Sequence, residues 1–279
     1  MRKRLAGWVF LAGALCGQQP APTETQCNEM LEHALSARNP DTRKQAVIAL
    51  SLASDRGPLL AMLLGMTDDK DVPVRVAVMT SLGDVKSKSA IQALRKAVAD
   101  PVPEVSFAAA KMLWNLHDEE GKQALLAVVE GESKTSSGYI TSEMRQALRM
   151  MHTPTTTFLY AVREGMGFVP VPGLGQGIAS MQAILTDPGT SGRATAVLLL
   201  GKDNDKALIP SLRDALHDKN WTVRAAAVHS FALRNDPSLR EDLVPLLDDE
   251  KEAVRLRAAA GYLRLTAIQT DRLKRGGRK

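Results

Sequence analysis

The 279 residues are 44% hydrophobic, 24% charged and 4% aromatic, with a formal net charge of +5 and two cysteines. Without Arg2, Lys3 and Arg4 the charge falls to +2, and without the five cations of residues 272–279 the body, 23–271, stands at −3. This balance weighs against a basic stripe for nucleic acid, and if Cys16 leaves with an export signal the single remaining cysteine cannot form an internal disulfide, so stability must come from packed apolar faces.

Met1-Arg2-Lys3-Arg4 is a basic start, followed by an apolar run from Leu5 to Leu15 that is too short to span a bilayer. With Ala12-Gly13-Ala14 as a small-x-small cleavage site, residues 1–22 read as a signal peptide, and the mature chain is expected to be exported, periplasmic or extracellular. Lipid anchoring through Cys16 is the less favoured alternative. Gly13 and Leu15 reverse the large-then-small order that a lipidated cysteine wants before it. Cys27 would then be the one remaining thiol. It lies in a short helical cap, and nothing near it in sequence would lower its pKa.

From about residue 40 a pattern recurs every 31 residues. Val74-Arg75-x-Ala77, Val223-Arg224-x-Ala226 and Val254-Arg255-x-Arg257-Ala258 are its clear copies. Ser106 and Arg193 hold the same register, and Lys44 with Ala46 reads as a degenerate first copy. Six residues before each anchor stands an aspartate: Asp69, Asp100, Asp187, Asp218 and Asp249. An apolar run follows each anchor and ends at glycines such as Gly83 and Gly201, which suit helix C-termini. A second stretch then places apolar residues at 90, 91, 94, 97 and 98, a helical period. A fixed period of this size predicts an all-α solenoid of about six to seven antiparallel helix pairs, each burying its neighbour's apolar face.

The register divides the chain into N-terminal repeats at 23–131, a degenerate repeat at 132–186, C-terminal repeats at 187–267 and a disordered basic tail at 268–279. In the middle part, residues 165–177 hold five glycines and two prolines around Phe168, Val169, Val171 and Leu174, which precludes a continuous helix. The glycines there lack the spacing of a phosphate-binding loop.

The units Asp69-Lys70-Asp71-Val72-Pro73-Val74-Arg75 and Asp218-Lys219-Asn220-Trp221-Thr222-Val223-Arg224 resemble HEAT repeats, in particular the short bacterial type similar to phycobilisome-lyase repeats. The resemblance covers roughly residues 40–131 and 187–267. It implies that Asp69, Arg75, Asp100, Asp187, Arg193, Asp218, Arg224, Asp249 and Arg255 form a structural ladder in the inter-repeat turns. It also implies a binding surface more than a catalyst.

Some members of that family are di-iron hydroxylases with His-Glu dipeptides on successive repeats. This chain has no His-Glu dipeptide, only Glu32-His33 and His117-Asp118-Glu119. No catalytic residue, metal ligand or cofactor is expected; the histidines are placed near helix ends. The expected function is a monomeric, non-catalytic scaffold of the bacterial envelope that binds a protein partner, with no nucleic acid and no membrane span in the mature chain. Its candidate partner-binding residues are Gln92, Arg95, Arg213 and His217 on second helices, with Phe168, Val169, Val171 and Leu174 in the central insert. The alternative is a HEAT-type enzyme, either a metal-dependent oxygenase or a chromophore lyase.

Overall fold

The computed structural model describes residues 24–52, 58–130 and 192–276. Asp187, the 165–177 insert with Phe168, Val169, Val171 and Leu174, and the proposed signal peptide lie outside these residues. Among the described residues every regular element is helical. In chain order they are α1 (Glu24–Leu35), α2 (Pro40–Leu50), α3 (Pro58–Gly65), α4 (Val72–Val85), α5 (Lys88–Ala97), α6 (Pro103–Asn115), α7 (Glu119–Glu130), α8 (Gly192–Leu200), α9 (Ile209–Ala215), α10 (Trp221–Leu233) and α11 (Glu252–Gly276). Three 3₁₀ segments, Lys206–Leu208, Pro237–Leu239 and Glu241–Asp248, complete the order. The fold is an α-solenoid.

The anchor helices α4, α6, α10 and α11 each begin at a programmed turn. The aspartate six residues before the anchor folds back onto its own chain. Asp69 Oδ1 accepts from Asp71 N, Asp100 Oδ1 from Val102 N, Asp218 Oδ1 from Asn220 N and Asp249 Oδ1 from Lys251 N, each at 2.8 Å. A capping residue or proline then starts α4, α6 and α10. Asp71 Oδ1 accepts from Val74 N at 3.2 Å, and Asn220 Oδ1 accepts from Thr222 N at 2.9 Å. Pro40, Pro73 and Pro103 stand in first turns, where a missing N–H costs nothing.

One glycine has a different role from the one its position suggests. Gly83 lies inside α4 and not at its end; a Cβ there would meet Met112 Sδ of α6 at 2.6 Å. The helix instead ends at Lys86 in the left-handed conformation, φ 52°. Gly201 likewise lies against Ser230 of α10. Both glycines let neighbouring helices approach closely; Gly201 also stands just past the end of α8, as its position suggests, whereas at Gly83 the supposed helix-ending signal is a packing requirement.

The order of stacking departs from the order of the chain. The anchor helices pack as α8 on α10, α10 on α11, α11 on α2, α2 on α4 and α4 on α6. Second elements fill in beside them, with α9 against α10, Glu241–Asp248 against α11, α3 against α4 and α5 against α6. The unit headed by α11 takes its second helix from the other end of the chain, because α1 packs on both α11 and α2. Thus α1 is an internal helix of the stack, not the terminal cap that sequence suggests. Its Cys27, Leu31 and Ala34 are buried, and burial pushes the Cys27 thiol up to about 11.

Two further expectations are corrected. The second element of the α10 unit is 3₁₀ and not α, since Pro237 begins one of its segments and Pro245 lies within the other. The basic stretch from residue 268 is no disordered tail as far as Gly276, because α11 continues through it.

Candidate functional site

The recurring arginines and aspartates connect successive units. Arg43 Nε and Nη2 donate to Asp69 Oδ2 and Oδ1 at 2.8 and 2.9 Å. Arg75 holds Asp100 in the same way at 3.2 and 3.3 Å, and Arg224 holds Asp249 at 2.7 and 2.8 Å. Arg193 Nη2 donates to Asp218 Oδ2. Arg43, Arg75, Arg224 and Arg255 also turn Nη1 back onto the carbonyl six residues before them. Arg75 reaches Asp69 O at 2.8 Å, Arg224 reaches Asp218 O at 2.9 Å and Arg255 reaches Asp249 O at 2.7 Å. The aspartate side chain therefore pairs with the arginine of the preceding unit, while its backbone carbonyl serves the arginine of its own.

This geometry corrects the first anchor. Arg43, not Lys44, is the ladder residue of α2, and its Nη1 donates to Ala37 O at 2.9 Å. Lys44 is the neighbouring cation, and a register drawn on charge alone slips by one. The correction exposes a gap. The aspartate position of the α2 unit is Ala37, so Arg255 of the preceding unit has no carboxylate to hold.

Electrostatics set the strength of each rung. Burial alone would raise the Asp249 carboxyl, but the Arg224 guanidinium and the Lys251 N–H outweigh it and hold the group below its ordinary range. The same balance lowers Asp69 beside Arg43. The Arg224 and Asp249 side chains are 10% and 6% exposed, whereas Arg193 is 72% exposed against Asp218 at 4%.

The second elements carry an outer set of pairs. Arg95, 49% exposed on α5, donates to Asp118 at 2.7 Å and lies 3.4 Å from Glu120. Arg213 on α9 grips Asp242 at 2.7 and 2.9 Å. Arg95 and Arg213 are thus joined to the following unit, while Gln92 and His217 are exposed beside them.

Where α10 meets α11, polar side chains lie deep in the stack. His229 is buried in mid-helix and not near an end; its Nε2 has no partner, and burial followed by the charges of Arg257, Arg264 and Lys202 lowers it to about 3. Arg257, 1% exposed, donates Nη1 to Ala253 O at 2.8 Å, while its Nε is unpartnered and burial lowers it to about 10. Sequence reading missed this pair, although Arg257 inside an otherwise apolar run was the available signal. Among the described residues, no three His, Cys, Asp or Glu side chains are grouped to hold a metal ion. No helix among them is long and apolar enough to cross a membrane.

Comparison with known proteins agrees with this architecture. No curated protein matches the chain in sequence. Human deoxyhypusine hydroxylase in complex with glycerol is similar at 16% identity and a TM-score of 0.32, over 88% of this chain and 97% of that one, a likeness too loose to speak to activity. The profile of HEAT repeats matches residues 58–148 and 178–264, more than half of the sequence. With its helix pairs, 31-residue register and inter-unit ladder, the chain belongs to the HEAT-repeat family.

Proposed function

We propose that this chain is an exported, non-catalytic scaffold of the bacterial envelope that recognises a protein partner through the surface of its helix stack. The observation that supports the reading is the use made of the recurring residues. Arg43, Arg75, Arg193 and Arg224 are engaged in holding one unit to the next, as are Arg95 and Arg213 outside them. Such a stack offers a preformed surface, so a partner would bind with little ordering of the scaffold itself. Gln92 and His217 are the exposed second-element groups assigned to partner contact, and residues 165–177 are assigned as a docking segment.

Affinity capture from the native envelope tests the reading, using the intact chain and a variant with residues 165–177 replaced by a short Gly/Ser linker. Partners captured by the intact chain and reduced by the replacement support docking there. A stoichiometric transition metal in the purified protein, with no specific partner, would overturn the scaffold. Export is tested by N-terminal sequencing of the protein from its host, where a start between about Leu15 and Thr23 is expected.

A further inference from the structure

The gap in the ladder has the donor geometry of a binding site. In each filled rung bearing two arginine bonds, a carboxylate meets Nε and Nη2 of one guanidinium and the backbone N–H two residues after the aspartate. At the α11–α2 junction these donors are present without the acid. Arg255 is fixed through Nη1 by Asp249 O at 2.7 Å and Glu250 O at 3.3 Å, as Arg224 is by Asp218 O and Lys219 O. Its Nε and Nη2 make no hydrogen bond or ion pair among the described residues. Ala37 supplies the carbonyl to Arg43 that aspartates supply elsewhere, so it marks the acid position, and Asn39 N is the corresponding amide. Glu252, the acid of α11 nearest this junction, accepts from Thr42 Oγ1 at 3.0 Å and takes no part in an ion pair with Arg255.

We propose that Arg255, with the α1–α2 turn at Ala37–Asn39, is a receptor for one external carboxylate, supplied by an acidic side chain or the chain end of a partner protein. The guanidinium is half-buried and oriented by two carbonyls before any ligand arrives, so a planar carboxylate gains a bidentate, charge-assisted contact at small ordering cost. Methyl-bearing Ala37 leaves the acid position unfilled from within, and the intact rungs show that a carboxylate fits these donors in this fold. The proposal rests on the scaffold reading for its partner, but its test uses small carboxylates and fails separately from any capture experiment.

The test is thermal unfolding of the full chain in acetate against chloride at equal ionic strength, for the wild type, Ala37→Asp and Arg255→Gln. Acetate is expected to raise the wild-type Tm saturably, by about 3 °C at tenfold above half-saturation. Ala37→Asp should raise the Tm in chloride alone and abolish the specific acetate increment. Arg255→Gln breaks no bidentate ion pair, so it should fold and also lack the increment. N-acetyl-aspartic amide and N-acetylglycine, run in the same way, distinguish a side-chain carboxylate from a chain end. The same acetate dependence in all three proteins, or none in the wild type, would overturn the proposal.

Discussion

Arg224 and Arg193 occupy one register and meet equivalent aspartates, yet burial separates their contributions. Removing Arg224 leaves the Asp249 carboxylate, 6% exposed, without its partner inside the stack. Arg224→Ala is expected to destabilise by roughly 3 kcal/mol in denaturant unfolding, and Arg193→Ala by less, because the Arg193 side chain is 72% exposed and its removal lets water reach the Asp218 carboxylate, itself only 4% exposed in the pair. Equal losses would show that the ladder does not act through desolvation. His229 makes a prediction about pH. Its folded pKa, about 3, lies below the ordinary value of 6.5, so between these values the unfolded chain binds a proton that the native state refuses. Its contribution is fully present above pH 6.5 and falls on acidification by roughly 1.4 kcal/mol per pH unit, and His229→Leu should flatten this dependence in unfolding titrations at pH 7, 6 and 5. Neighbouring Arg257 is a buried cation held by one carbonyl, so Arg257→Met should be neutral or stabilising in the same assay.

At the scale of elements, local physics was the legible part. Apolar spacing and the recurrence of an aspartate before the anchors announced the anchor helices, whereas the prolines in their first turns were not read as helix starts. The aspartate–arginine recurrence was visible too, but not its direction: the side-chain pair spans 25 residues into the next unit, whereas the six-residue spacing serves a carbonyl. Arg43 was missed because Lys44 preserves charge, and Ala37 because a missing acid leaves no mark until its partner is placed. Gly83 was read through its own helix, while its reason lies in α6. Gly83→Leu should therefore cost about 1–3 kcal/mol in thermal unfolding through collision with Met112, a loss that Met112→Ala should partly relieve. An unchanged Tm would mean that the close approach of α4 and α6 is not required.

On the scale of the molecule, the stack reads α8, α10, α11, α2, α4, α6, a rotated version of the chain order. Nothing in either half of the sequence states that α11 and α2 are neighbours, because their contact joins positions such as Arg264 and Leu52, whose Nη1–O bond of 2.7 Å closes 212 residues. If this order is what the fold requires, the covalent order can be rotated to match it. A circular permutant that links the end of α11 to Glu24 and opens within 132–138 should keep the helical circular dichroism and melt within a few degrees of the parent; loss of cooperative unfolding would refute the stacking order.

The placement of α1 also bears on the time course of synthesis. This helix is made before α2 to α10, yet the surface that covers Cys27 and Leu31 belongs in part to α11, which is made more than two hundred residues later. Bringing the two together closes a loop of more than two hundred residues, whose entropic cost precedes any reward from contact. Until α11 emerges, the narrow apolar stripe of α1 is covered by α2 alone. Shielding of that stripe until α11 has been made would therefore favour correct assembly of the stack.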